Sequence, residues 1–474
     1  MDVASSFIDG CSVVSADTYD IVDPSTSQPL GAASRGGADE VDRAVRAARK
    51  ALATWRRTPP AERATVLGRI AEAIDAQHEQ LARYECQDTG KPLSQARADI
   101  TVSARYFRFY AHAIDTYYGH SIPLADDLHV YTRREPLGVV GHILAWNYPM
   151  QLLSRAVAPA IATGNVVVAK PADETPRTAV ALAELAFDCG LPAGVLNIVT
   201  GIGAEAGAAL AAHPGVDSIG FVGSTRVGSE IAHAAADRVV PAVLELGGKS
   251  PQIVFGDADL DTAADTVAKA ILQNAGQTCS AGSRLLVEAS VHDAVVAKVL
   301  HRFSGVRLGR GLDDPDLGPL ISRTQQTRVT SMLSEVTQGE ILCGGGPPNV
   351  PGLSDGAFFA PTLIDGVDPT APIAQDEIFG PVLTVNTFTE EQEALALANG
   401  TDYALLAAVW TRDLSRAHRL AADIVAGQVY VNTYGAGGGV ELPFGGFRKS
   451  GYGREKGLDA LDAMTATKTV VIKL

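Results

Sequence analysis

A cysteine and a glutamate, each in a glycine-rich setting, carry the chemistry that this sequence suggests. Cys279 ends the run Asn274–Cys279, and Glu245 lies upstream at the start of the run Glu245–Pro251. A thiolate can attack carbon, and a carboxylate can later activate the water that releases the product. Gly276 and its polar neighbours predict a turn at a helix end, where a sulfur is exposed. Together the two residues predict covalent catalysis on a carbonyl group.

Each candidate residue also has a structural explanation. A buried cysteine is usually a small apolar residue, and this interpretation is preferred for the other four: Cys11, Cys86, Cys189 and Cys343. Glu245 could instead be a strand-end residue bonded to backbone amides. Asn147 follows a predicted strand, and its neutral amide can hold an oxyanion, a task worth ~3–4 kcal/mol in a dry site. Its structural alternative is a cap of the next helix.

The elements that would position these residues alternate between strands and helices. Strand and helix patterns follow one another from Val139 to Val222, and a second such region runs from 248 to 431. This alternation predicts an α/β fold with parallel sheets covered by helices. A helical region, 39–118, comes before them. The tail, Thr465–Leu474, alternates like an edge strand, which would need a partner that a second subunit could supply.

Three glycine-rich or charged strand ends are candidates for binding a cofactor. Gly203 lies in a strand-to-helix turn, a weak signal that a simple tight turn explains equally well. Gly223 and Ser224 also join a strand to a helix, where free N–H groups and the helix dipole favour phosphate. Lys170 and Asp173 follow a strand end, where open parallel sheets bind ligands. Their two charges could grip a ribose, although a lone strand-end lysine is more often solvated.

The composition excludes several classes of function. The chain has 474 residues, 46% of them hydrophobic and 20% charged, as is typical of a soluble enzyme with roughly two to four domains. Its net charge of −15 disfavours binding to nucleic acid or anionic membranes. Five scattered cysteines without metal-type spacing predict free thiols and no metal site. Because neither a signal peptide nor a long apolar run is apparent, we expect a cytoplasmic protein.

Taken in order, the motifs resemble the NAD(P)-dependent aldehyde dehydrogenase superfamily over nearly the whole chain. The matching stretches are Trp146–Pro149, Lys170-Pro171, Phe221–Ser224, Glu245–Pro251, Gly276–Cys279, Glu377–Pro381 and Pro443–Gly446. The resemblance implies a Rossmann-like cofactor domain, a second α/β catalytic domain and a small β oligomerisation element. The cofactor domain would comprise 1–115 and 137–247, and the catalytic domain 248–446. The oligomerisation element would comprise 116–136 and 447–474, with a hairpin at His129–Glu135, in a homodimer or homotetramer.

The resemblance also implies a role for each catalytic residue. Cys279 would attack an aldehyde and form a thiohemiacetal, whose oxyanion the Asn147 amide and the Cys279 backbone N–H would stabilise. Hydride transfer to the nicotinamide would leave a thioester, and Glu245 would activate the water that hydrolyses it. Lys170 would bind the adenosine ribose, Ser224 the pyrophosphate and Glu377 the nicotinamide ribose. The implied cofactor-binding set is Trp146, Lys170, Asp173, Gly203, Gly223, Ser224, Leu246, Glu377 and Phe379, and no metal is implied.

One position departs from the family pattern and bears on the choice of cofactor. NAD-preferring relatives usually carry Glu three residues after the cofactor lysine, whereas this chain has Asp173, followed by Glu174. Aspartate keeps the charge that repels a 2′-phosphate but is one methylene shorter. We therefore expect NAD as the cofactor, with NADP as an alternative.

Arg155 provides the clearest hint about the substrate. In succinate semialdehyde dehydrogenases an arginine at this position is associated with the substrate carboxylate, and a guanidinium suits a carboxylate well. This predicts an anionic semialdehyde, with Tyr148 as a second substrate residue; a structural salt bridge is the alternative for Arg155. Betaine-aldehyde enzymes have Trp at this position, which disfavours a quaternary-ammonium substrate. The glycine-rich loop 434–441 would leave room for a larger or aromatic aldehyde.

Other functions remain as alternatives. One is a broad-specificity aliphatic or aromatic aldehyde dehydrogenase, and another is a semialdehyde dehydrogenase that acylates coenzyme A, which the presence of Glu245 disfavours. A binding or structural protein that has only kept the fold is disfavoured by the complete set of catalytic residues. A cysteine hydrolase is disfavoured because no convincing Cys/His pair is present.

Overall fold

The computed structural model describes residues 3–435 and 439–474. Its strands are β1 (Val3–Ala4), β2 (Ser6–Ile8), β3 (Cys11–Val13), β4 (Thr18–Val22), β5 (Pro29–Ser34), β6 (Leu128–Pro136), β7 (Val139–Ile143), β8 (Val166–Lys170), β9 (Leu196–Ile198), β10 (Ser218–Val222), β11 (Ala242–Glu245), β12 (Pro251–Val254), β13 (Arg284–Glu288), β14 (Glu340–Cys343), β15 (Thr362–Asp365), β16 (Val382–Phe388), β17 (Tyr403–Ala404), β18 (Leu406–Trp410), β19 (Gln428–Val431), β20 (Phe447–Arg448), β21 (Gly451–Tyr452) and β22 (Thr465–Lys473).

Helices connect and cover these strands. They are α1 (Ala38–Trp55), α2 (Pro60–Ala76), α3 (His78–Thr89), α4 (Leu93–Ala113), α5 (Pro149–Ala162), α6 (Arg177–Asp188), α7 (Ala208–Ala212), α8 (Thr225–Arg238), α9 (Leu260–Leu272), α10 (His292–Ser304), α11 (Arg323–Ser334), α12 (Pro372–Gln375), α13 (Glu391–Ala398), α14 (Leu414–Asp423) and α15 (Asp459–Ala463). Within 3–435 and 439–474, no helix is both long enough and apolar enough to cross a membrane.

The first sheet has the strand order β21-β11-β10-β7-β8-β9-β2-β3. Strands β7 to β11 that adjoin one another run parallel, so their carboxyl ends meet at one edge. Strand β8 has the sequence Val-Val-Val-Ala-Lys and is buried throughout, as expected for a parallel strand with helices on both faces. The edge therefore collects Ile143, Lys170, Val222 and Glu245, which end their strands.

The second sheet has the order β14-β15-β16-β13-β12-β18-β19 and is parallel except for the edge strand β14. The chain passes from the first sheet to the second through residues 246–250, between β11 and β12. The predicted α/β fold with parallel sheets is thus confirmed. The division into domains stays a prediction; Gly451–Tyr452, which it assigned to the oligomerisation element, forms β21 of the first sheet.

The C-terminal strand finds its partner within the same chain. Strand β22 pairs antiparallel with β6 along their full length, from Thr465 opposite Pro136 to Lys473 opposite Leu128. The expectation of a hairpin at His129–Glu135 is wrong, because these residues form part of the single strand β6. An edge strand presents a row of backbone N–H and C=O groups that need hydrogen-bonding partners. Strand β6 provides these partners for one edge of β22 without a second subunit. Oligomerisation through this ribbon stays a prediction.

Candidate active site

A cavity of about 630 Å³ lies where the carboxyl edge of the first sheet meets the second sheet. It is lined from the first sheet by Val222 and Glu245 and from the second by Leu406 and Tyr430. Most residues that the sequence singled out line it together: Trp146, Asn147, Tyr148, Arg155, Gly223, Ser224, Glu245, Leu246, Cys279, Glu377 and Phe379. The fold thus gathers side chains from five separate segments of the chain around one space.

Cys279 is presented by a sharp turn after α9. The chain leaves the helix through Asn274 and Ala275, whose φ values of 48° and 55° lie in the left-handed region, and through Gly276 at φ 71°. A Cβ on Gly276 would lie 2.1 Å from the carbonyl oxygen of Gly380, so only glycine fits. The predicted turn is present, and it directs the chain from the helix to the cavity wall.

Cys279 is half-buried and lines the cavity. Burial raises the pKa of this thiol to about 12, although the guanidinium of Arg155 and the ammonium of Lys456 oppose that rise. The carboxylates of Glu245 and Glu377 add to it. The resting sulfur is therefore a neutral thiol, and its attack on carbon requires a nearby proton acceptor.

Glu245 is a proton acceptor of the required kind. It ends β11 and is 2% exposed, and within 3–435 and 439–474 neither carboxyl oxygen has a hydrogen-bond partner. Burial, and then the negative charge of Glu455, raise the pKa of this carboxyl well above its ordinary value. The alternative of a carboxylate bonded to backbone amides does not describe its surroundings. A buried carboxyl with free oxygens and a raised pKa is suited to general base chemistry.

Asn147 lies in the loop between β7 and α5. Its side-chain amide donates to the carbonyl oxygen of Gln277 at 3.0 Å, which ties it to the turn that carries Cys279. It does not cap the next helix, because α5 follows Tyr148 as its N-cap residue and has no side-chain cap. An amide nitrogen carries two hydrogens, so the tie to Gln277 leaves one donor for another oxygen.

The cofactor candidates form two groups. Lys170 and Asp173 make an ion pair, and Asp173 Oδ2 accepts from the Gly203 N–H at 3.2 Å, so three candidates meet beyond the end of β8. Lys170 is only 2% exposed, unlike the solvated lysine that was the alternative. A paired ammonium and carboxylate beyond the carboxyl end of a central parallel strand fit the hydroxyls of a ribose. This group lies outside the cavity lining itself.

The second group lies inside the cavity. The Ser224 hydroxyl caps α8 by accepting from Val227 N–H at 3.4 Å, and the remaining N–H groups of this helix end suit a phosphate. Glu377 accepts from the Gly248 N–H at 3.0 Å, and burial raises its pKa to about 7. The rings of Trp146 and Phe379 meet edge to face, 5.2 Å apart.

Several residues in and around the cavity were missed in the sequence. Glu455 forms a buried ion pair with Arg155, and both Arg155 and Lys456 lie over the ring of Phe444, at 5.3 Å and 4.8 Å. Lys91 contacts the loop of Asn147 from beneath. The Gly-Lys-Pro run around Lys91 and the Arg-Glu-Lys run around Glu455 were the available signals, and neither has a spacing that indicates a site. Part of the predicted loop 434–441, namely 436–438, lies outside the described residues.

The two parallel sheets and the cavity between them, lined by a thiol, a buried carboxyl and an amide, indicate an enzyme of the α/β class. The sequence model described as the aldehyde dehydrogenase family matches residues 12–470. The chain belongs to this family, and the predictions of the family and of an enzyme are confirmed.

Similar proteins and solved structures support this assignment. The NADP/NAD-dependent aldehyde dehydrogenase PuuC of Escherichia coli is 43% identical, over 99% of this chain and 95% of that protein. HpcC from Thermus thermophilus is 43% identical, with a TM-score of 0.97 over 99% of this chain and 93% of that one. The indole-3-acetaldehyde dehydrogenase AldA of P. syringae, solved with NAD+, is 39% identical, with a TM-score of 0.97 over 99% and 97%. These names agree with the expected cofactor.

Proposed function

We propose that the protein oxidises an aldehyde to the carboxylic acid, with Cys279 as the nucleophile and NAD as the cofactor, NADP being the alternative. The observation that carries this proposal is the meeting of Cys279, Glu245 and Asn147 in one cavity that also holds Glu377 and the start of α8. The first three residues provide the covalent chemistry. The last two, with the Lys170–Asp173 pair, are suited to a dinucleotide.

The first step joins the sulfur to the aldehyde carbon. As the thiol proton leaves, with Glu245 as the nearby acceptor, a C–S bond forms and the carbonyl π electrons move onto the oxygen. The resulting oxyanion accepts hydrogen bonds from the Asn147 amide and the Cys279 backbone N–H. Stabilisation by such fixed donors is large because they need no reorganisation as the charge develops.

The second half of the reaction releases the acid. A nicotinamide cofactor, which Glu377, Ser224 and the Lys170–Asp173 pair would hold, would supply the hydride acceptor. Loss of hydride from the thiohemiacetal carbon would leave a thioester on Cys279. Glu245 releases the thiol proton to solvent and then takes a proton from water as the water oxygen adds to the thioester carbon. The C–S bond then breaks, the acid leaves and Cys279 takes the proton back from Glu245. The free oxygens of Glu245 support hydrolysis of the thioester over transfer of the acyl group to coenzyme A. A thioester assay with added coenzyme A would detect that alternative.

The cavity walls support an aldehyde with an apolar or aromatic body. The lining includes Val102, Leu152, Tyr430, Tyr434 and Phe444. Side chains of this type bury the carbon skeleton of a substrate, while few polar groups orient it.

An anionic semialdehyde, such as succinate semialdehyde, is the second candidate substrate. Arg155 and Lys456 both line the cavity, and two cations there favour a carboxylate. Against this, the Arg155 guanidinium already has the carboxylate of Glu455 as a partner. The double variant Arg155→Met/Glu455→Gln removes both charges together. If Arg155 binds the substrate, kcat/KM for succinate semialdehyde falls about tenfold or more; an unchanged value rules that role out.

The function is tested by mixing the protein with NAD and a panel of aliphatic, aromatic and anionic aldehydes and following NADH formation. The Cys279→Ala variant is the control and must be silent with every aldehyde. NADH formation by that variant would contradict the covalent mechanism. The ratio of kcat/KM for NAD and NADP tests the cofactor, and a strong preference for NADP would contradict the role given to Asp173. A cytoplasmic location and a homo-oligomer complete the proposal, and light scattering would measure the subunit number.

A further inference from the structure

A fully buried lysine lies beneath the loop that carries Asn147. The ammonium of Lys91 contacts Asp99 at 2.6 Å and Glu85 at 3.3 Å, and it donates to the backbone carbonyl of Asn147 at 2.9 Å. These three contacts use all three of its N–H donors. Lys91 therefore has no capacity left for a ligand, and whatever it does must act through the groups that it holds.

The same cluster holds the loop at further points. The second oxygen of Glu85 accepts from the Met150 N–H at 3.2 Å, and the second oxygen of Asp99 accepts from Gln151 Nε2 at 3.3 Å. The Lys91 ammonium also lies 4.3 Å from the centre of the Tyr148 ring. Four contacts, spread from Asn147 to Gln151, thus connect the loop and the first turn of α5 to α3, α4 and the link between them.

A second donor holds the Asn147 carbonyl from the other side. Asn274, in the turn that presents Cys279, donates its side-chain amide to this carbonyl at 3.0 Å. The Asn147 side chain itself reaches Gln277 in the same turn. The peptide of Asn147 is therefore clamped between Lys91 and the Cys279 turn, which fixes the distance between the amide and the sulfur.

We propose that Lys91 is a positioning residue, which aims the Asn147 amide at the oxygen of the substrate; this inference rests on the proposed function. A buried ion cluster is a weak source of stability, because desolvation offsets most of the attraction between the charges. Three hydrogen bonds from one immobile ammonium, by contrast, fix the loop closely in space. Small displacements of a positioned group are costly, since a shift of 1 Å can slow a reaction about a hundredfold.

Two reactions of Cys279 separate positioning from general damage to the site. An activated aryl ester acylates the sulfur through an oxyanion and needs no cofactor, whereas iodoacetamide alkylates it by displacing iodide and forms no oxyanion. For Lys91→Met we expect ester acylation to slow at least about tenfold, while alkylation stays unchanged. In aldehyde oxidation, kcat falls by a similar factor and the KM for NAD does not move.

Asn274→Gly provides a second variant if Lys91→Met does not fold. It removes the other donor to the Asn147 carbonyl, leaves no buried charge unpaired and suits the positive φ at this position. The matched control is Arg177→Met, which breaks a buried ion pair with Asp88 of the same helix α3 without touching the Asn147 loop. We expect the control to lose stability but to keep the wild-type ratio of acylation to alkylation.

The inference is wrong if Lys91→Met or Asn274→Gly slows ester acylation and alkylation equally. It is also wrong if neither variant slows either reaction. Because neither reaction requires NAD, this result does not depend on aldehyde oxidation. A protein that forms no NADH, yet loses ester acylation selectively in these variants, would contradict the proposed function and still support the role of Lys91.

Discussion

Two clusters of buried carboxyl groups, Glu85 with Asp99 and Glu245 with Glu455, differ in what their oxygens contact. In the cluster of Glu85 and Asp99, every carboxyl oxygen has a partner on Lys91 or on the first turn of α5. Glu245, on the cavity side, has none among the described residues. Burial raises the pKa in both clusters. The raised pKa alone therefore does not distinguish Glu245 from the other carboxyl groups, whereas its oxygens without partners and its place in the cavity lining do.

The sharpest test of this difference is Glu245→Gln. We expect kcat to fall about 10²- to 10⁴-fold, because the general base that activates water is lost. Because Glu245 also accepts the thiol proton, the first NADH turnover should be slower than in the wild type, and mass spectrometry should then detect acylated Cys279 that awaits hydrolysis. The melting temperature should not fall, since this variant removes a buried carboxyl that has no partner among the described residues. A kcat within a few fold of the wild type would contradict the role of Glu245.

Asn147→Ala should have the next largest effect. Removal of one oxyanion donor typically lowers kcat about 10²- to 10³-fold. We expect the KM for NAD to stay near the wild-type value, since the amide contacts the turn of Cys279 rather than the cofactor candidates. Steady-state kinetics measures both quantities, and a change confined to KM would show that the amide acts in binding instead.

Asp99→Asn changes the cluster of Glu85 and Asp99, in which every carboxyl oxygen has a partner. We expect this variant to lower stability more than activity. It weakens a charged hydrogen bond to Lys91, so we expect the free energy of unfolding to fall by about 2 kcal/mol. The change in kcat should stay below about tenfold, because Glu85 still holds Lys91 in place. Denaturant unfolding and kcat are measured on the same preparation. A larger loss of kcat than in Asn147→Ala would contradict the expected difference between the two clusters.

Glu455→Gln gives the smallest expected effect, a shift in pH dependence. The negative charge of Glu455 raises the pKa of Glu245, and Glu245 must be ionised to accept a proton, so activity rises with pH. Without that charge, the pKa of Glu245 falls and the acidic limb of the kcat profile moves to lower pH. A shift toward higher pH would contradict this interpretation of the charges around Glu245.

The local sequence determined much of the site. Cys279 and Glu245 were identified by glycine-rich runs, because a sharp turn and a strand end each need particular residues nearby. The alternating strands and helices predicted the parallel sheets, and parallel strands bring the residues at their carboxyl ends to one edge. Lys170 and Ser224 were candidates because they lie at predicted strand ends, and Glu377 was assigned by resemblance to a family with a local motif at that position.

Only the tertiary structure decided how these residues are held and charged. Lys91 lies 56 positions before Asn147, and Arg155 pairs with Glu455 near the other end of the chain. The alternating pattern of the tail predicted a strand, but not its pairing with β6. Contacts of this kind depend on how helices and strands pack, and the spacing of residues along a chain carries no record of that packing.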